Sequence, residues 1–485
     1  MNTNIQPIHF YRKAYFLGIG GIGMSAIARY LLQQGLEVKG YDKTPTPLTT
    51  ELMEEGAQVV FDDNETLLPA GWEQEEDVLW IITPAIPVEH RAWKYLESLE
   101  VPIFKRSEVL GSIARDGFCI AVAGTHGKTT TSTLIAHLLH SCNINFTAFL
   151  GGISANYNSN YVRKSDGISW GINGENKEII VLEADEFDRS FHRLNPDLAV
   201  ITAMDPDHLD IYETPQKFAQ AFNHFVELIR NNPGTHSTHQ IPRGGGLVLN
   251  EKLQELVEVS DTIELVTYGK NQSSAVQYQS VNIQNGEYHF QYLQPETKKQ
   301  QFQCGLPGFH NIENATAALA ITQYFLQLPW EKLQQGIQSF KGAKRRFEYI
   351  IRTANYVVID DYAHHPEELN AIISSVKALY PNQHLTGIFQ PHLFTRTRDF
   401  ADGFADSLSK LDECWLMDIY PAREKPIPGI TSQWLLEKLS NKSELLNAPE
   451  MLHRLQTEPK PLLLILGAGD IDKLVSPIKE IYTHL

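Results

Sequence analysis

Short apolar runs recur along the chain, each followed by a polar turn and then an amphipathic stretch. The first run is Tyr15-Phe16-Leu17. Behind it Gly18, Gly20 and Gly23 form G-x-G-x-x-G, and Ile22, Ile27, Leu31 and Leu32 recur near the 3.6-residue helical period. Gly35 is a stop signal, and "LEVKGYD" is the next strand, ending at Asp42. "DVLWIITPAIP" (77–87) predicts a buried strand that ends at Thr83, and "VPIFKRSEVLGSI" (101–113) a short strand and a helix. Alternation of this kind predicts parallel β–α units.

The pattern continues downstream. An apolar strand over Ile120–Ala123 enters "GTHGKTTT", and Leu134, Ile135, Leu138 and Leu139 mark the inward face of the following helix. Ile179–Leu182 ends in Glu183, Asp185, Glu186 and Asp188; "LAVIT" (198–202) leads to Asp207, His208 and Asp210. Residues 231–246 read as an irregular loop, and 276–293 as a hairpin turning at Asn285-Gly286. A helix start carries His310, Asn311 and Asn314. After the basic stretch 341–350, a strand exits into Asp360, Asp361, Tyr362, His364 and His365. Another places His392, Arg396 and Arg398 beyond its end, and "PLLLILGAGDIDKL" (461–474) is a last buried strand. The expected fold is α/β in three domains. Residues 1–113 form a Rossmann-like domain, 114–340 a phosphate-loop domain with a mainly parallel sheet, and 341–485 a second Rossmann-like domain.

Composition narrows the class. The 485 residues suit about three domains at roughly 150 residues each. With 42% hydrophobic and 20% charged residues, the chain has material for real cores. No run approaches the roughly 20 apolar residues of a membrane helix, and the N-terminus lacks an apolar signal core. Cys119, Cys142, Cys304 and Cys414 lie far apart without a C-x-x-C pair, which argues against a disulfide framework or a zinc site and suits a cytoplasmic location. The net charge of −17 disfavours a nucleic-acid binder, so an anionic substrate must be met by local positive charge.

The glycine loop at 18–23, with Asp42 about 20 residues on, fits a pyrophosphate at a helix N-terminus. A hydride-transfer cofactor and a sugar nucleotide both meet that description. The second loop departs from G-x-x-x-x-G-K-[ST]: Val122 stands where the first glycine belongs, and a glycine appears later, at Gly124. Its strand–loop–helix context still places Lys128 for terminal phosphates and Thr129 for Mg²⁺. The acidic strand end at 183–188 suits a metal or a solvated face, and His208 a metal or a helix start. Asn311 and Asn314 share a helix face, to meet an adenine edge or to cap. The third-region histidines and arginines admit loop and salt-bridge roles.

"GIGGIGMS", "AGTHGKTTT", "EADE", "DPDHLD", "HNIENA", "RRFE" and "DDYAHHP" stand in the order seen in the Mur ligases of peptidoglycan synthesis, and over essentially its whole length the chain resembles that family's alanine-adding branch. The family's T-x-G-K-T loop, with a glycine just before it, accounts for Val122. The resemblance implies ATP-dependent ligation of L-alanine to the lactyl carboxylate of UDP-N-acetylmuramic acid through an acyl phosphate, with Mg²⁺. It implies sugar-nucleotide contacts from Gly20, Gly21, Ile22, Gly23, Met24, Ser25, Asp42 and Thr83. ATP would meet Gly124, Thr125, His126, Gly127, Lys128, Thr129 and Thr130, with Asn311 and Asn314 near adenine and Arg346 and Asp361 at phosphate and ribose. Thr129, Glu183 and His208 would hold metal, and His364, His392 and Arg396 would form the amino-acid pocket. Lys128, His208, Arg346 and Asp361 are the implied catalytic set. Two positions depart from relatives: Phe222 replaces a carbamylated lysine that the alanine-adding branch lacks, and Leu393 replaces an arginine found in some of its members. Lys128→Ala is expected to abolish ligation and leave the fold intact. The competing readings are a nicotinamide oxidoreductase, a murein-recycling ligase that adds a tripeptide, and a nucleotide-regulated binding protein. The sequence does not choose between monomer and dimer.

Overall fold

The computed structural model describes residues 5–63, 68–172, 175–205, 209–230, 245–284, 286–422 and 424–485. They divide into two compact units. One comprises 1–279, 292–300 and 313–337; the other comprises 280–291, 301–312 and 338–485.

The first unit is built on two main sheets. β1 (Lys13–Leu17), β2 (Glu37–Tyr41), β3 (Gln58–Val60), β4 (Val78–Ile82) and β5 (Ile103–Lys105) form a parallel sheet in the order β3-β2-β1-β4-β5. The order reverses beside β1, the place where ligands bind in doubly wound sheets. The helices α1 (Ile22–Gln33), α2 (Pro47–Glu54), α3 (Arg91–Ser98) and α4 (Arg106–Arg115) connect or follow its strands. Ile27 and Leu31 of α1 are fully buried, as their helical period demands.

The second sheet of this unit is built on β6 (Phe118–Ala123), whose six residues are all buried. A strand covered on both faces needs a continuous apolar run, and "FCIAVA" supplies one. β7 (Phe146–Ser154), β8 (Ser159–Lys164), a small pair β9 (Trp170–Ile172) and β10 (Glu175–Lys177), β11 (Ile179–Glu183), β12 (Leu198–Ile201), β13 (Gly246–Asn250) and β14 (Glu264–Gly269) follow. Within the unit the order is β14-β13-β12-β6-β11-β7-β8, parallel except for the β7–β8 hairpin. α5 (Lys128–Ser141) leaves β6 through the phosphate-loop motif, and α6 (Leu209–Tyr212) and α7 (Pro215–Glu227) follow β12. β15 (Val276–Gln284) joins β14 in parallel at Tyr268↔Val276; β16 (Glu287–Leu293) and β17 (Gln300–Cys304) come next in the chain. Gly286, at φ 75°, stands between β15 and β16, where the hairpin was expected; Asn285 lies outside the described residues, as do 231–244 of the expected loop.

The second unit is built on β18 (Glu348–Arg352), β19 (Val357–Asp361), β20 (Leu385–Phe389), β21 (Glu413–Leu416), β22 (Lys442–Leu445) and β23 (Leu462–Leu466), ordered β18-β19-β23-β20-β21-β22. Only β18 runs antiparallel. All four cysteines of the chain are free and buried. Among the described residues, no helix is long and apolar enough to cross a membrane.

Candidate active site

The phosphate loop hangs between β6 and α5 at the point where the second sheet reverses order, with β12 on one side of β6 and β11 on the other. Gly127 caps α5 at φ 82°, and no side chain caps the helix, so its first amides point into the loop. A Cβ on Gly127 would stand 2.5 Å from Asn314 Oδ1. Gly124, at φ 129°, lies so close to β12 that a Cβ would reach 2.8 Å from the Ala203 amide nitrogen. The loop is tied down by Thr125 N–H donating to Ala203 O at 3.0 Å and by the Asp205 amide donating to Thr125 Oγ1 at 3.1 Å. His126 Nε2 lies 3.6 Å from Asp205 Oδ2.

Two side chains of the first turn of α5 meet the end of β11. Lys128 Nζ donates to Gly124 O at 2.6 Å and to the Glu186 carboxylate at 2.8 Å. Thr129 Oγ1 donates to Glu183 Oε2 at 2.8 Å. Burial works to lower the Lys128 pKa, but Glu186, Glu183 and Asp185 outweigh it and the net shift is upward. Glu183 lies over Gly151 of β7, where any Cβ would overlap its carboxylate. Thr130 is buried beneath the loop. Asn314 accepts from Thr131 Oγ1 at 3.3 Å, so its side chain faces the loop from α8 (Phe309–Leu319). His208 lies outside the described residues, and the acidic edge is therefore described without it.

The first glycine loop has a comparable build. Gly18, at φ 91°, fits only because it lacks a Cβ, which would overlap the Thr83 methyl at the end of β4. Gly20 N–H donates to Asp42 Oδ2 at 2.7 Å, so this carboxylate already engages a loop amide. Gly21 caps α1 without a side-chain hydrogen bond, and Ile22 is half-buried at the helix start. Met24 and Ser25 are buried: Met24 belongs to the core, and Ser25 Oγ accepts from Asn160 Nδ2 of β8 at 2.8 Å. Their side chains are committed to packing, which leaves the backbone for a ligand.

In the second unit, Asp361 ends β19 and accepts from the Phe347 and Ala363 amides at 2.7 and 2.8 Å. Burial raises its pKa to about 6, against the lowering by Arg346 and these amides. Arg346 is flanked by Arg345 and Phe347, both in the left-handed region at φ 61° and 52°. Its guanidinium lies 5.1 Å from the Tyr362 ring centre and 3.8 Å from Glu368. Asn311 donates to Pro307 O, the local contact of a helix-start residue. His364 Nδ1 lies 3.0 Å from Tyr362 O and 3.3 Å from Glu368 Oε2. Both partners are acceptors, so Nδ1 carries the proton. Burial, with Arg396 and Arg346 adding to it, pushes the His364 pKa down to about 4 despite Glu368. Its ring stands 6.2 Å from that of His392, which stacks on Tyr420 at 5.7 Å. Leu393 opens α11 (Phe394–Asp399) at φ 69° once α9 (Trp330–Ser339) and α10 (Pro366–Leu379) have been passed, and Arg396 sits in that helix. Arg398 is half-exposed and pairs with Asp399 at 2.7 Å. Phe222 is fully buried against Phe191 and Phe218, part of an aromatic core.

Sequence reasoning placed Glu186 in the acidic strand end but did not pair it with Lys128, and it did not single out Gly151. Nothing in "EADEFD" says which carboxylate meets Lys128, whereas a glycine inside a strand does signal a close approach.

Family models match the chain in three blocks: "Mur ligase family, catalytic domain" over residues 13–117, "Mur ligase middle domain" over 122–322, and "Mur ligase, glutamate ligase domain" over 345–469. A UDP-N-acetylmuramate–L-alanine ligase of Flavobacterium johnsoniae is 44% identical over 96% of this chain and 97% of its own. The solved UDP-N-acetylmuramate–alanine ligase of Thermotoga maritima superposes with a TM-score of 0.76 at 25% identity, over 97% of this chain and 99% of that one. The murein peptide ligase of Psychrobacter arcticus reaches 0.66 at 20% identity, over 98% and 99%, a likeness of fold. With three domain models in sequence order and a relative this similar along nearly its whole length, the chain belongs to the Mur ligase family.

Proposed function

We propose that the chain joins L-alanine to the lactyl carboxylate of UDP-N-acetylmuramic acid, converting ATP to ADP and phosphate by way of an acyl phosphate. The observation that carries this reading is the α5 N-terminus, where Lys128 and Thr129 stand against Glu186 and Glu183. A carboxylate is a poor electrophile, so ATP must first phosphorylate it. Lys128 leaves Glu186 to meet the terminal phosphates, and the loop amides hold the phosphate oxygens. The amine of alanine then attacks the acyl carbon, and phosphate leaves.

A hydroxyl beside a carboxylate is an oxygen donor set, and Mg²⁺ accepts few protein ligands when phosphates and water supply the rest, so Thr129 and Glu183 fit this ion. When bound, the ion offsets the repulsion between ATP and the acceptor carboxylate. His208 is proposed as a further ligand, Asn311 and Asn314 as adenine-side residues, and Arg346 and Asp361 as contacts to phosphate and ribose. Gly20, Gly21, Ile22 and Gly23 are proposed to receive the UDP diphosphate, with Asp42 and Thr83 beside it. His364, His392 and Arg396 are proposed to hold alanine, Arg396 at its carboxylate. The division into domains at 113/114 and 340/341, and a cytoplasmic location, belong to the same proposal.

Phosphate release with UDP-N-acetylmuramic acid and a panel of amino acids tests it. L-Alanine should be preferred, and a tripeptide should be inactive; turnover only with the tripeptide would transfer the chain to the recycling activity. Arg396→Lys should raise the KM for L-alanine by at least about tenfold, leaving that for ATP unchanged, because an ammonium does not reproduce the guanidinium fork. Arg398→Lys, at an exposed pair, should have little effect.

A further inference from the structure

Arg106 opens α4, immediately after β5, and its side chain crosses to the first glycine loop. The third glycine of that loop, Gly23, has no room for a Cβ because the Arg106 Nη1 atom occupies the place, with Cδ at 3.0 Å. The other terminal nitrogen, Nη2, donates to Asp185 Oδ2 at 3.1 Å. One guanidinium thus lies against the loop read above as the diphosphate site and is anchored on the acidic edge of the neighbouring sheet.

The acidic turn shows what that anchor is. Each of its four carboxylates has a separate partner. Glu183 accepts from Thr129 at 2.8 Å and Glu186 from Lys128 at 2.8 Å, both from the phosphate loop. Asp185 pairs with Arg106 at 3.1 Å and Asp188 with Lys105 at 3.5 Å, both from the β5–α4 corner. The Arg106–Asp185 pair is 25% and 35% exposed on its two sides, and a pair this wet contributes little net stability. A diphosphate presents more negative charge and accepts the planar guanidinium fork at two oxygens. Exchange of Asp185 for phosphate is therefore favourable once the anion sits on the loop.

We propose that Arg106 is a further binding residue for the diphosphate of the sugar nucleotide, and that Asp185 holds it in the empty site. The proposal rests on the reading of the glycine loop as the sugar-nucleotide site. Asp185 then acts as an internal competitor for the guanidinium, while its Oδ1 keeps the Phe187 amide at 3.1 Å. Asparagine can retain that second contact and lose the competing charge.

Calorimetry without ATP or Mg²⁺ tests this on the full chain, with UDP-N-acetylmuramic acid and UDP as probes. Arg106→Ala should weaken both by about 10–100-fold, the size of a lost hydrogen bond to a charged group, and Arg106→Lys by less. Asp185→Asn should bind both more tightly than the wild type, by a few-fold. ADP binding, measured separately, should be unchanged in all three and reports a folded phosphate-loop site. Equal affinity of Arg106→Ala and wild type overturns the proposal. So does weakening by Asp185→Asn as large as that by Arg106→Ala, which would make the pair structural. A wild-type chain that binds ADP and neither uridine probe removes the reading of the glycine loop itself.

Discussion

At the level of single residues, Lys128 has two partners in prospect, phosphate and Glu186, and the second changes what its removal does. From sequence, Lys128→Ala was expected to spare the fold. In the structure Glu186 is 2% exposed and the lysine is its counter-charge. Removing one member of a buried pair leaves the other uncompensated, at about 3–5 kcal/mol. Lys128→Ala should therefore abolish phosphate release and also lower the melting temperature. Adding Glu186→Gln should restore most of the melting temperature and none of the activity. A single variant that melts like the wild type would show that Glu186 finds water or another donor. The motif named the lysine; its charge partner depended on how a strand end five elements later meets the loop.

Among the elements, those with strong periodicity were legible: β1 with α1, β6 with α5, and the apolar strands that end at Glu183, Asp361 and Phe389. The β7–β8 hairpin was not, because its strands carry mixed polar residues and its register depends on pairing with β11. That hairpin matters to the site. Gly151 of β7 lets the Glu183 carboxylate lie flat on the strand and reach Thr129. A Cβ there displaces the end of a flexible side chain and spares the backbone. Gly151→Ala should therefore leave the melting temperature within about 2 °C, a change under 0.5 kcal/mol, yet raise the Mg²⁺ concentration for half-maximal activity several-fold. A magnesium titration of phosphate release checks this; an unchanged midpoint would mean that Glu183 can serve from another rotamer.

Across the whole molecule, burial sets the response to pH. His137, in α5, is held to a pKa of about 4 by burial, with His140 lowering it further and the Gly336 backbone partly opposing. Unfolded, it titrates near 6.5, so between pH 4 and 6.5 the unfolded chain binds the extra proton. Stability from this group is complete above about pH 6.5 and is lost as pH falls toward 4, amounting to about 1–3 kcal/mol. Asp360 has the opposite sign: burial raises it to about 7 despite Arg345, so its contribution falls as pH rises from about 4 to 7. His137→Asn should flatten the loss of stability below pH 6.5, as read by urea midpoints at pH 7 and pH 5. A slope unchanged from wild type would place the acid sensitivity elsewhere, with His310 and His364, both also held near 4, the next residues to vary.

Local rules were enough for the alternation of strand and helix and for the two glycine loops, because periodicity and turn chemistry act over a few residues. The departure at Val122 was legible too, since the loop's two glycines are those at which the backbone needs a positive φ. Tertiary structure alone decided which charges meet. It joined Arg106 to Asp185 across 79 residues and Lys128 to Glu186 across 58, and it turned Ser25 toward Asn160 across 135. It also placed Phe222 in an aromatic core. Long-range pairings of this kind follow from sheet order and from the side on which each strand end opens, and neither is written in the spacing of residues along the chain.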